Sequence, residues 1–133
     1  MTLIDANPRG LHALPGVITH VVTVPDLRLV YTSGQVAWDK DGNLVGDGDY
    51  AKQAEQVVHN LDIALASAGT TRDHLIKQTI FVVDYRPEVV PLIMGPLHAG
   101  TRRCAASALV GVQTLFAPGY LIEIEAVARI PVA

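Results

Sequence analysis

Hydrophobic alternation is sharpest near the C-terminus, in Leu121-Ile122-Glu123-Ile124-Glu125-Ala126-Val127-Ala128-Arg129-Ile130. Side chains of an extended chain repeat every two residues. Ile122, Ile124, Ala126, Ala128 and Ile130 therefore share one face, and Leu121, Glu123, Glu125, Val127 and Arg129 share the other. The first face is apolar throughout and belongs against a core. The second sets two carboxylates side by side on a β-forming segment, so one of them leads the candidates for an acid or base held on a rigid element.

The same pattern reading places the remaining elements. Residues 1–15 mix Pro8, Gly10 and Pro15 with residues of every kind and read as an irregular arm. Val17–Val24 is β-branched and predicts a first strand, Pro25-Asp26 a turn, and Leu27–Gly34 the second strand of a hairpin. Asp41-Gly42-Asn43 marks another turn between Val36–Lys40 and Leu44-Val45. The period then changes. Ala51, Ala54, Val58, Leu61, Leu65 and Ala68 recur at three- and four-residue steps, the stripe of an amphipathic helix over 50–68, with Asp49 placed to cap its start and Gly69 to end it. Leu75–Tyr85 predicts a strand. Glu88–Ala99 predicts a second helix, short or kinked because Pro91 and Gly95-Pro96 interrupt it. Ala106–Val112 and Tyr120–Ile130 are the last two strands. The order β-β-β-α-β-α-β-β is that of an α+β fold, a single sheet with two helices on one face.

Two helices cover only one face of such a sheet, yet several strands are apolar on both. Phe81 and Val83 alternate with Ile80 and Val82, and the 17–22 stretch is similarly two-sided. A second copy of the chain is the simplest cover for the other face, and folding of the 1–15 arm over it is the alternative.

Composition narrows the function classes. With 133 residues, half of them hydrophobic, the chain predicts one domain, 1–133, with a core that needs no metal or disulfide. The lone Cys104 fits a reducing, cytoplasmic setting and reads as an inert, partly buried thiol. No signal peptide is evident, and no apolar run reaches the roughly 20 residues that span a bilayer, so no membrane partner is expected. The net charge is −3, and Lys and Arg are scattered apart from Arg102-Arg103, which argues against nucleic acid as a partner. His12, His59, His74 and His98 lack metal-ligand spacing, so no metal is expected.

Tyr31-Thr32-Ser33-Gly34-Gln35, the Asp41-Gly42 turn, the helix Gln53-Ala54-Glu55-Gln56-Val57-Val58-His59-Asn60-Leu61 and Ile122-Glu123-Ile124-Glu125-Ala126-Val127-Ala128 follow in an order that resembles the RidA/YjgF family of reactive-intermediate deaminases, from about residue 16 to 130. The resemblance implies a chorismate-mutase-like fold and a homotrimer with three intersubunit clefts. It also implies hydrolysis of enamines and imines, such as 2-aminoacrylate, to a keto acid and ammonia without a cofactor. The deaminating members carry an arginine before the fifth strand that holds the substrate carboxylate. Anchored on Val110-Gly111-Val112, that position is Ser107, so the chain is similar to an arginine-lacking branch. An aromatic residue usual near the first strand is replaced by Ile18 and His20.

The resemblance makes Glu123 the residue that directs water; a structural pairing with Arg129 or with a neighbour's cation is the competing role, and Glu125 reads as structural. Ser33 and Gly34 resemble the floor of the cleft, or else a strand end with a glycine bulge. Ser107 is a candidate hydroxyl contact and not a nucleophile, since no base is paired with it. Arg103 or Arg102 either reaches the cleft or is solvated. His20 is either a buried, hydrogen-bonded histidine or a proton carrier. The expected function is a hydrolase of enamine, imine or related activated C–N compounds, with a non-catalytic trimer that binds a small metabolite as the alternative.

Overall fold

The computed structural model describes residues 2–132. Its secondary structure runs β1 (Ile4–Ala6), β2 (Val21–Val24), β3 (Leu29–Thr32), β4 (Gln35–Val36), α1 (Tyr50–Ser67), β5 (Leu75–Val83), α2 (Val90–His98), β6 (Ala106–Val112) and β7 (Ile122–Arg129). The strands form one sheet in the order β1-β2-β3-β7-β5-β6, with β4 also on β7. All pairings are antiparallel except β5 with β6. This is the expected mixed α+β architecture of one sheet and two helices.

Strand β7 lies at the centre, paired with β5 along most of its length on one side and with β3 and β4 on the other. Its alternation sorts the molecule. Ile122, Ile124, Ala126 and Ala128 are buried with Ile80 and Val82 of β5, Val21 and Val30 of β2 and β3, and the apolar faces of both helices. Glu123, Glu125, Val127 and Arg129 face the side that no helix covers. Across the strands this open face continues through Phe81, Thr79 and Lys77 of β5 and Tyr31 of β3.

Helix α1 begins where Asp49 accepts a hydrogen bond from the Lys52 N–H at 3.0 Å, and it stops before Gly69, whose φ of 80° suits glycine. Its buried stripe includes Ala54, Val57, Leu61, Ala64 and Leu65, and also Gln53 and Asn60. These amides satisfy backbone groups at the end of β4 and in the adjoining loops. Gln53 Nε2 donates to the Gly46 and Gly119 carbonyls, and its Oε1 accepts from the Leu121 N–H at 2.8 Å. Asn60 Nδ2 donates to the carbonyls of Val36 and Trp38. The helix thus ties down the end of β4, the loop after it and the loop that leads into β7. A smaller cluster of Val36, Trp38 and Tyr120 packs beside the main core, with Phe116 edge-on to Trp38.

Four expectations need correction. The arm at 1–15 is not wholly irregular, because Ile4–Ala6 pairs with Thr23–Val21 of β2. The first strand begins at Val21 rather than Val17. Gly16 has a φ of 76°, and the N–H groups of Val17 and Ile18 turn back to the Leu14 carbonyl, so the β-branched run has no ladder to join until β1 and β3 flank it. The 36–45 hairpin shrinks to the two residues of β4 and one bridge between Trp38 and Leu44, since the Asp39 carboxylate captures the N–H groups of Asp41 and Asn43 and holds a tight loop instead. Cys104 is exposed, not partly buried. No helix is long and apolar enough to cross a membrane among the described residues.

Replacing Gln53 by Leu leaves the partly buried Leu121 N–H and the Gly119 carbonyl without their partner. The expected loss is about 1–3 kcal/mol, read from urea unfolding, with the helix content of the folded state retained.

Candidate functional site

Glu123 occupies a particular place on the open face. Its cross-strand neighbours are Val36 on β4 and Phe81 on β5, so apolar side chains flank it on both sides. Behind it lies Gly34, where a Cβ would fall 2.6 Å from the Glu123 carboxyl carbon and closer still to Oε2. Only a glycine lets the carboxylate lie against the backbone here. Burial in these surroundings raises the Glu123 carboxyl above its ordinary 4.5, and the charge of Glu125, two residues along the same face, raises it further. No cation offsets this among the described residues, whose ion pairs are Arg72–Asp62 and Arg86–Asp84. Arg129 shares the face, but six residues of strand separate it from Glu123 by about 20 Å, too far to form the pairing considered for it.

The corner that carries Gly34 is held from within. The Ser33 N–H donates to the His20 carbonyl at 2.8 Å, and the Ser33 hydroxyl donates to the Thr19 carbonyl at 2.5 Å. Gln35, fully buried, bonds through Nε2 to the Ser33 carbonyl and to His20 Nδ1, both at 3.2 Å. His20 Nε2 meets the His12 carbonyl at 2.7 Å, which makes Nε2 the protonated nitrogen and Nδ1 the acceptor. The His20 N–H in turn donates to Asn7 Oδ1 at 2.8 Å. With 1% of its surface exposed and both ring nitrogens engaged, His20 has the buried, hydrogen-bonded setting of the two considered for it and braces the corner.

The other candidates fall in different places. Ile18 is half-buried in the turn before β2, next to Thr19, and so borders the same corner. Ser107 does not share a face with Glu123. It pairs with Gln78, whose side chain is buried on the helix side, and Gln78 Nε2 donates to the Ser107 hydroxyl at 2.7 Å. Arg103 directs Nη1 to the carbonyls of Asp73 and Leu75, the latter at 2.5 Å, at the opposite end of β5 from Phe81. Within one chain the structure therefore gathers Glu123, Gly34, Ser33 and Ile18 at or around one corner and leaves Ser107 and Arg103 apart. No group of His, Cys, Asp and Glu suited to a metal ion occurs among the described residues.

Sequence reasoning missed Val36 and Phe81 as the walls around Glu123, and Gln35 and Asn7 as braces. Val36 and Phe81 stand out only once the register across β7 is known. Gln35 carried a visible signal, a polar residue directly after Ser33-Gly34 and before an apolar stretch.

The model of the Endoribonuclease L-PSP family matches residues 14–130. The chain is 31% identical over 80 residues to Protein DfrA of Myxococcus xanthus, a match that spans 60% of this chain and 58% of that protein. Two solved structures from Yersinia pestis, both described as proteins of unknown function of the conserved Rid protein family, superpose over nearly the whole chain. YyfB is 35% identical with a TM-score of 0.72, covering 97% of this chain and 99% of its own. YyfA is 28% identical with a TM-score of 0.84, covering 97% and 100%.

The raised Glu123 carboxyl has a consequence for stability. A carboxyl that titrates higher in the folded than in the unfolded state binds more protons when folded, so stability declines as pH rises through the folded value. Glu123→Gln removes that penalty. Thermal melts are expected to show the variant more stable than the parent near pH 8, with the difference shrinking toward zero as pH falls through the carboxylate range.

Proposed function

The chain belongs to the endoribonuclease L-PSP family, that of the Rid/YjgF proteins, and from that premise we propose a hydrolase acting on an imine, enamine or related activated C–N compound. The observation that carries this reading is the half-buried, unpaired carboxylate of Glu123 lying against Gly34 between two apolar side chains. Hydrolysis of an iminium group needs water at carbon and protons at nitrogen: one iminium ion and one water give one carbonyl compound and one ammonium ion. A carboxylate made more basic by burial takes a proton from the attacking water as the C–O bond forms. It then returns the proton to nitrogen, the C–N bond breaks with ammonia as the leaving group, and the carboxylate takes up the remaining hydroxyl proton and passes it to ammonia, leaving the carbonyl and ammonium. Gly34 leaves room for the carboxylate, and the Ser33 corner holds the pocket wall in place. For an enamine, protonation at carbon first gives the same iminium.

The pocket is completed by other copies of the chain. Tyr31, Phe81, Val83, Val110 and Val127 keep part of their apolar surface exposed on the face without helices, and a homotrimer closing on that face covers it and turns each Glu123 corner into an intersubunit cleft. The net charge of −3 and the two carboxylates on this face disfavour RNA as the guest. The second reading, binding of a small metabolite without turnover, draws support from Ser107, which stands where the deaminating relatives hold a carboxylate with arginine.

Enamine and imine consumption, followed in the presence of an enzyme that generates 2-aminoacrylate and with carboxylate-free imines, tests the reading. Glu123→Gln is expected to lower turnover by about 100-fold or more, within the range of general acid–base contributions. Gly34→Ala is expected to do nearly as much, because the new methyl displaces the carboxylate, while stability falls only by about 1–3 kcal/mol. Binding of keto acids or amines with no substrate consumed selects the second reading. Sedimentation is expected to show trimers, and a stable monomer refutes the cleft.

A further inference from the structure

The charge around Glu123 says what kind of molecule the cleft takes, an inference that rests on the function proposed above. We propose that the Glu123 cleft selects a cationic, carboxylate-free guest, a planar iminium-like group on an apolar body, whose N–H donors pair with Glu123 while its body lies against Phe81 and the exposed Val110 beside it.

Three observations combine. First, among the described residues of its own chain, Glu123 has no cationic donor beside it. Glu123 has Glu125 as its charged neighbour on the strand, and the cations of its own strand and of β5 on this face are distant. Arg129 is about 20 Å along β7, and Lys77 is four residues along β5 from Phe81, about 13 Å. A carboxylate guest there meets negative charge, and a cationic one completes an ion pair in a partly apolar setting. Charge-assisted N–H bonds to a carboxylate are roughly twice as strong as neutral ones.

Second, the groups expected to hold a guest carboxylate are committed elsewhere. Arg103 is bound to two carbonyls of its own chain, so the same tie restrains it in every copy of an assembly. Ser107 accepts from Gln78 and donates to the Ala105 carbonyl at 3.0 Å, on the helix side of the sheet. The Arg102 side chain is the remaining cation of that segment; its backbone N–H is held by Asp73 at 2.7 Å.

Third, the walls are apolar. Phe81 is followed across the sheet by Val110 of β6, which is 40% exposed, while Val36 lies buried in the cluster of Trp38 and Tyr120 and lends only an apolar backing. These surfaces suit a hydrocarbon body and provide nothing for a second charge.

Benzamidinium and benzoate share a ring and a planar three-atom head of opposite charge, which makes them suitable probes. Calorimetry gives the affinity, and the amide resonance of Gly34 reports the place. Benzamidinium is expected to bind at least 10-fold more tightly than benzoate and to shift Gly34, and Glu123→Gln, shown by melting to be folded, is expected to weaken it at least 10-fold. Benzoate binding at Gly34 as tightly as benzamidinium overturns the inference, and loss of that binding in Arg102→Ala identifies Arg102 as the anchor responsible. Unchanged benzamidinium affinity in Glu123→Gln also overturns it. If neither probe shifts Gly34 but enamines are still consumed in a Glu123-dependent way, this inference fails and the hydrolase reading stands. If neither binds and nothing is consumed, both fail.

Discussion

Register along β7 is the constraint on which everything else depends. The strand is paired on both sides, so its position is set by β5, β3 and β4 together. A slip of one residue would bring Glu123 and Glu125 into the core and turn Ile122 and Ile124 outward. The desolvation cost of two buried carboxylates makes that alternative prohibitive. The same pairing that builds the core therefore delivers an acidic group to the opposite face, between Val36 and Phe81. Fold and candidate chemistry are two sides of one alternation.

Where local pattern and tertiary context agree, the chain could be read directly. Helix α1 has a stripe, a cap and a glycine stop that coincide, and it runs over Tyr50–Ser67 against an expectation of 50–68. Strand β6 occupies 106–112 as expected. The difficulties lay where pairing partners decide. Val17–His20 have the composition of a strand but no neighbour to pair with, and Ile4–Ala6 have little strand character but a free edge of β2 beside them. β-propensity describes fit to a pleated surface, so it cannot say whether a surface is there.

The site was legible to the same depth. Glu123 announced itself through alternation alone. Its contact with Gly34 depends on how β4 lies on β7, a relation between residues far apart along the chain. The displacement of Ser107 to the helix side follows from parallel pairing of β6 with β5, which sets Ser107 beside Gln78 rather than Phe81. A motif match gives the position of a residue in the chain; only the sheet decides which side of the molecule it serves.

Helix α1 also buries amides in its core-facing stripe, and with them it holds the end of β4 and the adjoining loops. The N-terminal arm serves the candidate site in a similar, indirect way. Asn7 caps the His20 N–H, the His20 carbonyl receives Ser33, and Ser33 leads into the glycine behind the carboxylate. A chain of hydrogen bonds thus connects the edge of the sheet beside β1 to the corner behind Glu123. Fraying at that edge would be felt as a loosening of the Ser33-Gly34 corner rather than as a lost contact with Glu123, so the arm acts as a tensioner on the backbone behind the carboxylate.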